Sequence, residues 1–198
     1  MFNRYWIYSG RYRKVFCAIV LCLHALVLAP TASYPAAQKG IQCTLTGPTS
    51  HTASGQTISL DITVINTSSQ TLFVPWPPET RHLLEWGVLS VSIEDESGNI
   101  YKYVPVPARF FLRQRSHYQR LTLGNKISNS LNLCMFRDKN YSHSPCSRPG
   151  KYAVRVTYSN HKTDYWKTGT DEMMELNEVW TGESICNEIN IEVVATGN

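Results

Sequence analysis

Two short segments constrain the fold more than anything else in the sequence. Ile58, Leu60, Ile62 and Val64 alternate strictly with Ser59, Asp61 and Thr63. Ninety residues later Tyr152, Val154, Val156 and Tyr158 alternate with Ala153, Arg155 and Thr157. Successive side chains of a strand point to opposite faces, so a period of two marks a half-buried β-strand. An apolar face against a core and a polar face in water is the habit of antiparallel sheets.

The rest of the chain is consistent with that start. β-Branched and aromatic residues recur in short bursts, and few segments carry a helical period. A short first strand is expected over Gly40 to Leu45, followed by a turn at Gly47-Pro48-Thr49-Ser50. Thr71 to Val74 is the next strand and stops at Pro75, Pro77 and Pro78, because proline cannot donate to a ladder. Gly87 to Glu94 and Asn99 to Val104 flank Asp95-Glu96-Ser97-Gly98, a hairpin turn. Strands are also expected near Arg109 to Leu112, Gln119 to Leu123 and Ser128 to Leu133, with a last one through Ile185, Ile189, Ile191 and Val193. Asn160 to Thr181 is too long for a simple hairpin loop. There Thr170-Asp171-Glu172 is placed to cap a short helix through Met173, Met174 and Leu176. The expected fold is all-β: an immunoglobulin-like antiparallel β-sandwich over residues 40–195, with one long late loop that has room for a short helix.

The N-terminus has a different character. Arg4, Arg11, Arg13 and Lys14 precede an apolar run from Val15 to Leu28, and Pro30 with Thr31, Ala32 and Ser33 follows. A basic stretch, a short apolar stretch and small residues make a removable secretory signal, here residues 1–33, with a polar linker over 34–39. The apolar run is shorter than the roughly 20 residues that cross a bilayer, and His24 interrupts it. Export to the outside or to a periplasm is therefore expected, with no membrane attachment after cleavage.

Removing the signal changes the charge argument. The chain has 19 Lys+Arg against 15 Asp+Glu, and the signal takes four basic residues and no acid, leaving 15 against 15. The isoelectric point near 8.7 belongs largely to the signal and does not point to nucleic acid as a partner. Export also decides how the mature cysteines, Cys43, Cys134, Cys146 and Cys186, are read. An even count in an oxidising compartment favours two disulfides, of which three connectivities are possible. Cys134 and Cys146 bracket a polar loop and are the favoured local staple, which leaves Cys43 to pair with Cys186.

Constellations for catalysis or metal binding are missing from the sequence. His51, His82, His117, His143 and His161 are scattered, with no His-Glu-x-x-His pattern. His143 with Cys134 and Cys146 supplies three zinc-type ligands, but an oxidised pair beside a loop histidine is the favoured reading. Ser54 lacks the glycine two residues earlier that a nucleophile elbow needs. The acid pairs Asp95-Glu96 and Asp171-Glu172 read as turn and cap residues rather than calcium ligands. These absences favour a protein that is not an enzyme and uses no cofactor.

Aromatic side chains stand out more. Trp76 lies in a Pro-rich segment, Trp86 follows Leu83-Leu84-Glu85, and Tyr165, Trp166 and Trp180 lie in the late stretch. Loop aromatics can form a platform for a sugar ring or for an apolar patch of a partner. The alternative, favoured here, is that they close the open ends of the core. Trp76, Trp86, Tyr165 and Trp166 are the candidate binding surface. Two Asn-x-Ser/Thr sequons, at Asn66 and Asn140, fall in expected loops.

Val64-x-Asn66-Thr67 leading to Leu72, with Pro149-Gly150-x-Tyr152-x-Val154-x-Val156 later, resembles extracellular immunoglobulin-like modules of bacteria and fungi. Among these are the β-sandwich domain of deuterolysin-type metallopeptidases and the BsuPI-type proteinase inhibitors. The resemblance implies a sandwich over most of residues 40–195. The zinc-binding peptidase part is missing, so peptidase activity is not implied, and no inhibitory residue transfers. The first expectation is a secreted interaction module that holds another protein through loops or a sheet edge. A carbohydrate-binding protein using Trp76, Trp86 or Trp166 is an alternative. So is a proteinase inhibitor presenting Glu79-Thr80-Arg81 or the loop from Met135 to Pro145.

Overall fold

The structure is a computed structural model and describes residues 40–48, 51–105, 112–169 and 172–196. The expected signal and linker lie outside the described residues, as do Arg109 to Phe111 of one expected strand, and Thr170 and Asp171 of the expected helix cap.

In chain order the strands are β1 (Ile41–Thr46), β2 (Thr52–Ala53), β3 (Ser59–Asn66) and β4 (Leu72–Pro75). A short helix, α1 (Thr80–Glu85), precedes β5 (Leu89–Asp95), β6 (Ile100–Tyr103), β7 (Tyr118–Leu121) and β8 (Lys126–Asn132). Then come β9 (Phe136–Arg137), β10 (Gly150–Asn160), β11 (Asp164–Trp166), β12 (Met173–Glu175), β13 (Gly182–Ile185) and β14 (Ile189–Val194). Both alternating segments are central strands. β3 is flanked by β1 and β8, and β10 lies between β5 and β14. The second sheet runs β2-β14-β10-β5-β6-β9, with β13 also on β10, and all its pairings are antiparallel except β14 with β2. A three-stranded sheet facing a sheet of this order is the immunoglobulin-type sandwich.

The period of two fills the space between the sheets. Leu60, Ile62 and Val64 of β3 and Val154, Val156 and Tyr158 of β10 are fully buried in one apolar cluster, joined by Ile93 and Leu131. Thr63 on the wet face of β3 instead hydrogen-bonds Ser128 at 2.7 Å. At the entry to β10 the Tyr152 hydroxyl donates to the Arg148 carbonyl at 2.6 Å. A tyrosine bonded to backbone a few residues upstream is the tyrosine corner of such sandwiches.

The expected last strand is broken in two, and the break is informative. Thr157 pairs with Ile185, yet Val154 pairs with Ile189, so the register slips by one residue at a bulge over Cys186-Asn187-Glu188. A one-residue slip exchanges the faces. Ile185 is therefore exposed, while Ser184 and Cys186 point inward with Ile191 and Val193. Cys186 pairs with Cys43 of β1 across the sandwich, and Cys134 pairs with Cys146 locally. The bulge also serves the outer edge of β1. Cys43 N–H donates to Ser184 Oγ at 3.1 Å, and the Asn187 amide accepts from Leu45 N–H at 2.7 Å and donates to its carbonyl at 2.9 Å.

The short helix is not in the late loop. Met173-Met174-Glu175 is a strand paired with Asp164-Tyr165-Trp166. A lone helical turn carries an unfavourable nucleation cost, whereas the ladder satisfies the same backbone groups without it. The helix instead follows Pro77 and Pro78, where Thr80 Oγ donates to the Ser130 carbonyl at 2.6 Å and Leu83 is buried. Among the described residues no helix is long and apolar enough to cross a membrane.

The inter-sheet disulfide closes a far longer loop than the local one, with 143 residues of separation against 12. Replacing Cys43 and Cys186 together with alanine is expected to lower the unfolding free energy by about 2–5 kcal/mol. The Cys134/Cys146 double variant is expected to lose less. Urea denaturation of both checks the order, and equal midpoints would contradict it.

Candidate functional site

The far end of β10 organises one end of the sandwich. Its last residue, Asn160, is buried, and its amide nitrogen donates to the carbonyls of Trp180 at 2.8 Å and Lys162 at 2.9 Å. Its side-chain oxygen accepts from the Arg113 guanidinium at 3.0 Å. One buried side chain thus ties together the segments carrying Arg113, Lys162 and Trp180. A buried amide is tolerated because each of its polar atoms is bonded.

Behind Asn160 the aromatics form part of the core. Tyr158 stacks on Trp180 with ring centroids 5.4 Å apart and meets Trp76 at 6.0 Å. The Tyr158 hydroxyl donates to the Pro75 carbonyl at 3.0 Å, and burial pushes its ionisation well up. Trp76 is only 7% exposed. Sequence placed Trp76 in the candidate surface, but its position after β4 folds its ring inward onto Tyr158. It closes the core, as the alternative reading had it.

Trp86 is half-buried in a different setting. His82 lies four residues earlier and stacks on it at 5.9 Å, and His117 meets it at 5.2 Å. The Arg113 guanidinium sits 5.5 Å from the ring centroid and donates to the Trp86 carbonyl at 3.1 Å. That is cation–π range. His117 Nδ1 accepts the Gln114 backbone N–H at 3.0 Å, which fixes a neutral tautomer with the proton on Nε2. Burial first, and then the neighbouring His82, hold the His117 pKa below the ordinary imidazole value.

The segment carrying Arg113 and His117 in turn holds the β11–β12 hairpin. Trp166 N–H donates to the Arg113 carbonyl at 2.6 Å, and the Tyr118 hydroxyl donates to the Asp164 carbonyl at 3.1 Å. Tyr165 meets Tyr118 edge-on at 6.5 Å. Tyr165 and Trp166 are half-buried on β11, and β12 is the outer strand. Met173 is 54% exposed and Met174 36%, and Leu112, beside Arg113, is 50% exposed. These apolar side chains have no role in the core.

The structure therefore divides the four candidate residues. Trp86, Tyr165 and Trp166 gather around residues 113–118, while Trp76 belongs to the core. Sequence reasoning missed Arg113, His117, Asn160 and the exposed methionines. One signal was available: His82 and Trp86 stand four apart, the spacing that brings side chains together on a helix.

The remaining candidates are structurally occupied. Cys134 and Cys146 are oxidised, and His143 Nδ1 faces the Asp138 carboxylate at 3.3 Å. Among the described residues no group of three or more His, Cys, Asp or Glu is placed to hold a metal. Burial opposes ionisation of Asp95, yet hydrogen bonds from Asn99, Ser97 and Tyr101 outweigh it and hold the pKa below the ordinary value. Glu172 pairs with Lys167 at 2.9 Å. Of the two sequons, Asn66 is buried and donates to the carbonyls of Gln70 and Leu121 at 2.7 and 2.9 Å. The folded chain offers no access to it, whereas Asn140 is exposed.

No protein-family model matches the chain, and no curated protein matches it either.

Two substitutions separate core from surface. Trp76→Ala is expected to cost about 3–5 kcal/mol, the range for emptying a buried aromatic site. Trp166→Ala is expected to cost much less. Asn160→Ala removes one of the two hydrogen bonds of the Arg113 guanidinium and the donor to two carbonyls, at about 1–3 kcal/mol for each buried group left unbonded. Thermal melts of the three variants check the ranking, and a Trp166 variant as unstable as the Trp76 variant would contradict it.

Proposed function

We propose that the chain is an exported, non-enzymatic module that binds another protein through the β11–β12 hairpin and the adjoining Leu112. The carrying observation is that the hairpin exposes apolar side chains on both faces: Met173 is the register partner of half-buried Trp166 and Met174 that of half-buried Tyr165, and Leu112 is exposed beside Arg113. Methionine and tryptophan are enriched in the cores of protein interfaces. The outer edge of β12 supports the same reading, because among the described residues it has no strand neighbour and can accept a partner's backbone. Both edges of the three-stranded sheet are blunted, β1 by Ser184 and Asn187 and β8 by Thr80. Two disulfides fit an oxidising compartment. The resemblance to extracellular immunoglobulin-like modules points the same way.

The carbohydrate reading is weaker. A sugar platform needs an open aromatic face, and Trp76 is buried while Trp86 is occupied by two imidazoles and a guanidinium. Proteinase inhibition keeps one specific observation. Glu79-Thr80-Arg81 enters α1, with Thr80 buried and Arg81 paired to Glu79 at 2.6 Å, so it is not a presented loop. The loop closed by Cys134–Cys146, in contrast, displays Tyr141 at 70% exposure and is braced by Asp138, which accepts from Asn140 and Ser142 N–H.

A photo-crosslinking residue placed at Met173 is expected to capture one reproducible protein partner, and Trp166→Ala is expected to abolish the capture. The same probe at Ile100, exposed on β6, is expected to capture nothing. Equal capture at both positions would sink the proposal. Inhibition of a secreted protease that Tyr141→Ala relieves would establish the inhibitor reading in its place.

A further inference from the structure

The neutral tautomer of His117 carries a consequence for the hairpin. The ring lies against Trp86, with His82 on the same tryptophan and the Arg113 guanidinium over it. Arg113 and Gln114, the residues that depend on this packing, are those that meet Trp166. Arg113 supplies the carbonyl for Trp166 N–H, and Gln114 bridges to Trp166. We propose that the His82–Trp86–His117 stack is a proton-operated latch, holding the β11–β12 hairpin to the sandwich at neutral pH and releasing it in acid.

The step is a simple protonation. Nδ1 of His117 accepts the Gln114 N–H, so a proton arriving there turns the acceptor into a donor facing a donor. The hydrogen bond is lost, and a half-buried cation appears against the same tryptophan that the Arg113 guanidinium already covers. The Trp86 ring already carries the Arg113 charge, which limits what it can offer a second cation.

Charged groups on the neighbouring elements do not rescue the imidazolium. On α1, Arg81 is engaged by Glu79, and the Glu85 carboxylate accepts from the Tyr103 hydroxyl at 3.3 Å. On the loop, Arg115 lies over Phe73 at 4.4 Å. Beyond β10, Lys162 is exposed, and Asp164 is half-buried in β11. Burial, and then His82, act on His117, and both disfavour its charged form.

The sign follows from linkage. The closed state holds His117 below the ordinary value of about 6.5, and the open state returns it to that value. The open state therefore binds more protons. Closure is intact above about pH 6.5 and is lost as pH falls below it, levelling off beneath the closed-state pKa. Acid weakens the latch.

The idea rests on the binding reading only for its purpose; its test reads the hairpin itself and needs no partner. Amide exchange of residues 112–118, 164–166 and 173–175 is measured from about pH 7.5 to about pH 5, corrected for the intrinsic pH dependence of exchange. Wild-type protein is expected to open severalfold more at the acid end, with β3 and β10 unchanged. His117→Asn keeps an acceptor where Nδ1 lies and cannot be protonated, so its exchange is expected to stay flat. Identical profiles for the two proteins would overturn the proposal. If the variant fails to fold, the His117 imidazole is titrated by NMR in the wild type. A midpoint below the ordinary value, coincident with hairpin opening, supports the latch, and a midpoint at or above that value overturns it. A latch that fails while Met173 still captures its partner leaves the binding reading standing.

Discussion

The one-residue change of register along the outer edge of β10 decides what the two sheets can share. Above it Ser184 and Cys186 face inward, and below it Ile189, Ile191 and Val193 do. Without the slip, Cys186 and Ile191 could not both face the core, because strand parity would send one of them to solvent. The bulge lets one edge contribute a disulfide to β1 and a hydrophobic face to the interior. It also turns the Asn187 amide onto Leu45, where it replaces a missing strand. A liability of sheet edges, the unpaired backbone, is met here by side chains from the opposite sheet.

The two central strands end alike. β3 ends at Asn66 and β10 at Asn160, both buried, and each amide binds the loops that leave its sheet. An asparagine side chain imitates a peptide group, so it can continue a strand's hydrogen bonding after the backbone has turned away. At the Asn160 end, this leaves Trp76, Tyr158 and Trp180 packed as core and sets the 113–118 segment outside them. Further out again lies the hairpin, with few buried neighbours and with Met173 and Met174 in solvent. Rigid support beneath a lightly held, apolar element is the usual division between scaffold and binding surface.

Much of the scaffold was legible in the sequence. Strict alternation over Ile58–Val64 and Tyr152–Tyr158 located both central strands, because a period of two has no other structural meaning at that length. The Pro-Gly-x-Tyr entry marked the start of β10, and loop spacing favoured the cysteine pairing that the structure has. The bulge was not legible, since Ile185, Ile189, Ile191 and Val193 share a parity that only pairing partners can break. Nor was the strand at Met173–Glu175, where three residues carry too little period to outweigh a capping signal. At the site, sequence could mark the aromatics but not sort them. Trp76 lies in a Pro-rich segment and Trp166 in the late stretch, both outside the clear alternation, and only the packing of Tyr158 distinguishes core from surface.

That sorting is the central claim, and fluorescence tests it directly. Iodide quenching of the mature protein is compared with that of variants in which Trp76, Trp86, Trp166 or Trp180 is singly replaced by phenylalanine. Loss of half-buried Trp166 or Trp86 is expected to lower the quenchable emission, while loss of buried Trp76 or Trp180 leaves it in place. Disappearance of the quenchable emission in Trp76→Phe would put that ring at the surface and contradict the account.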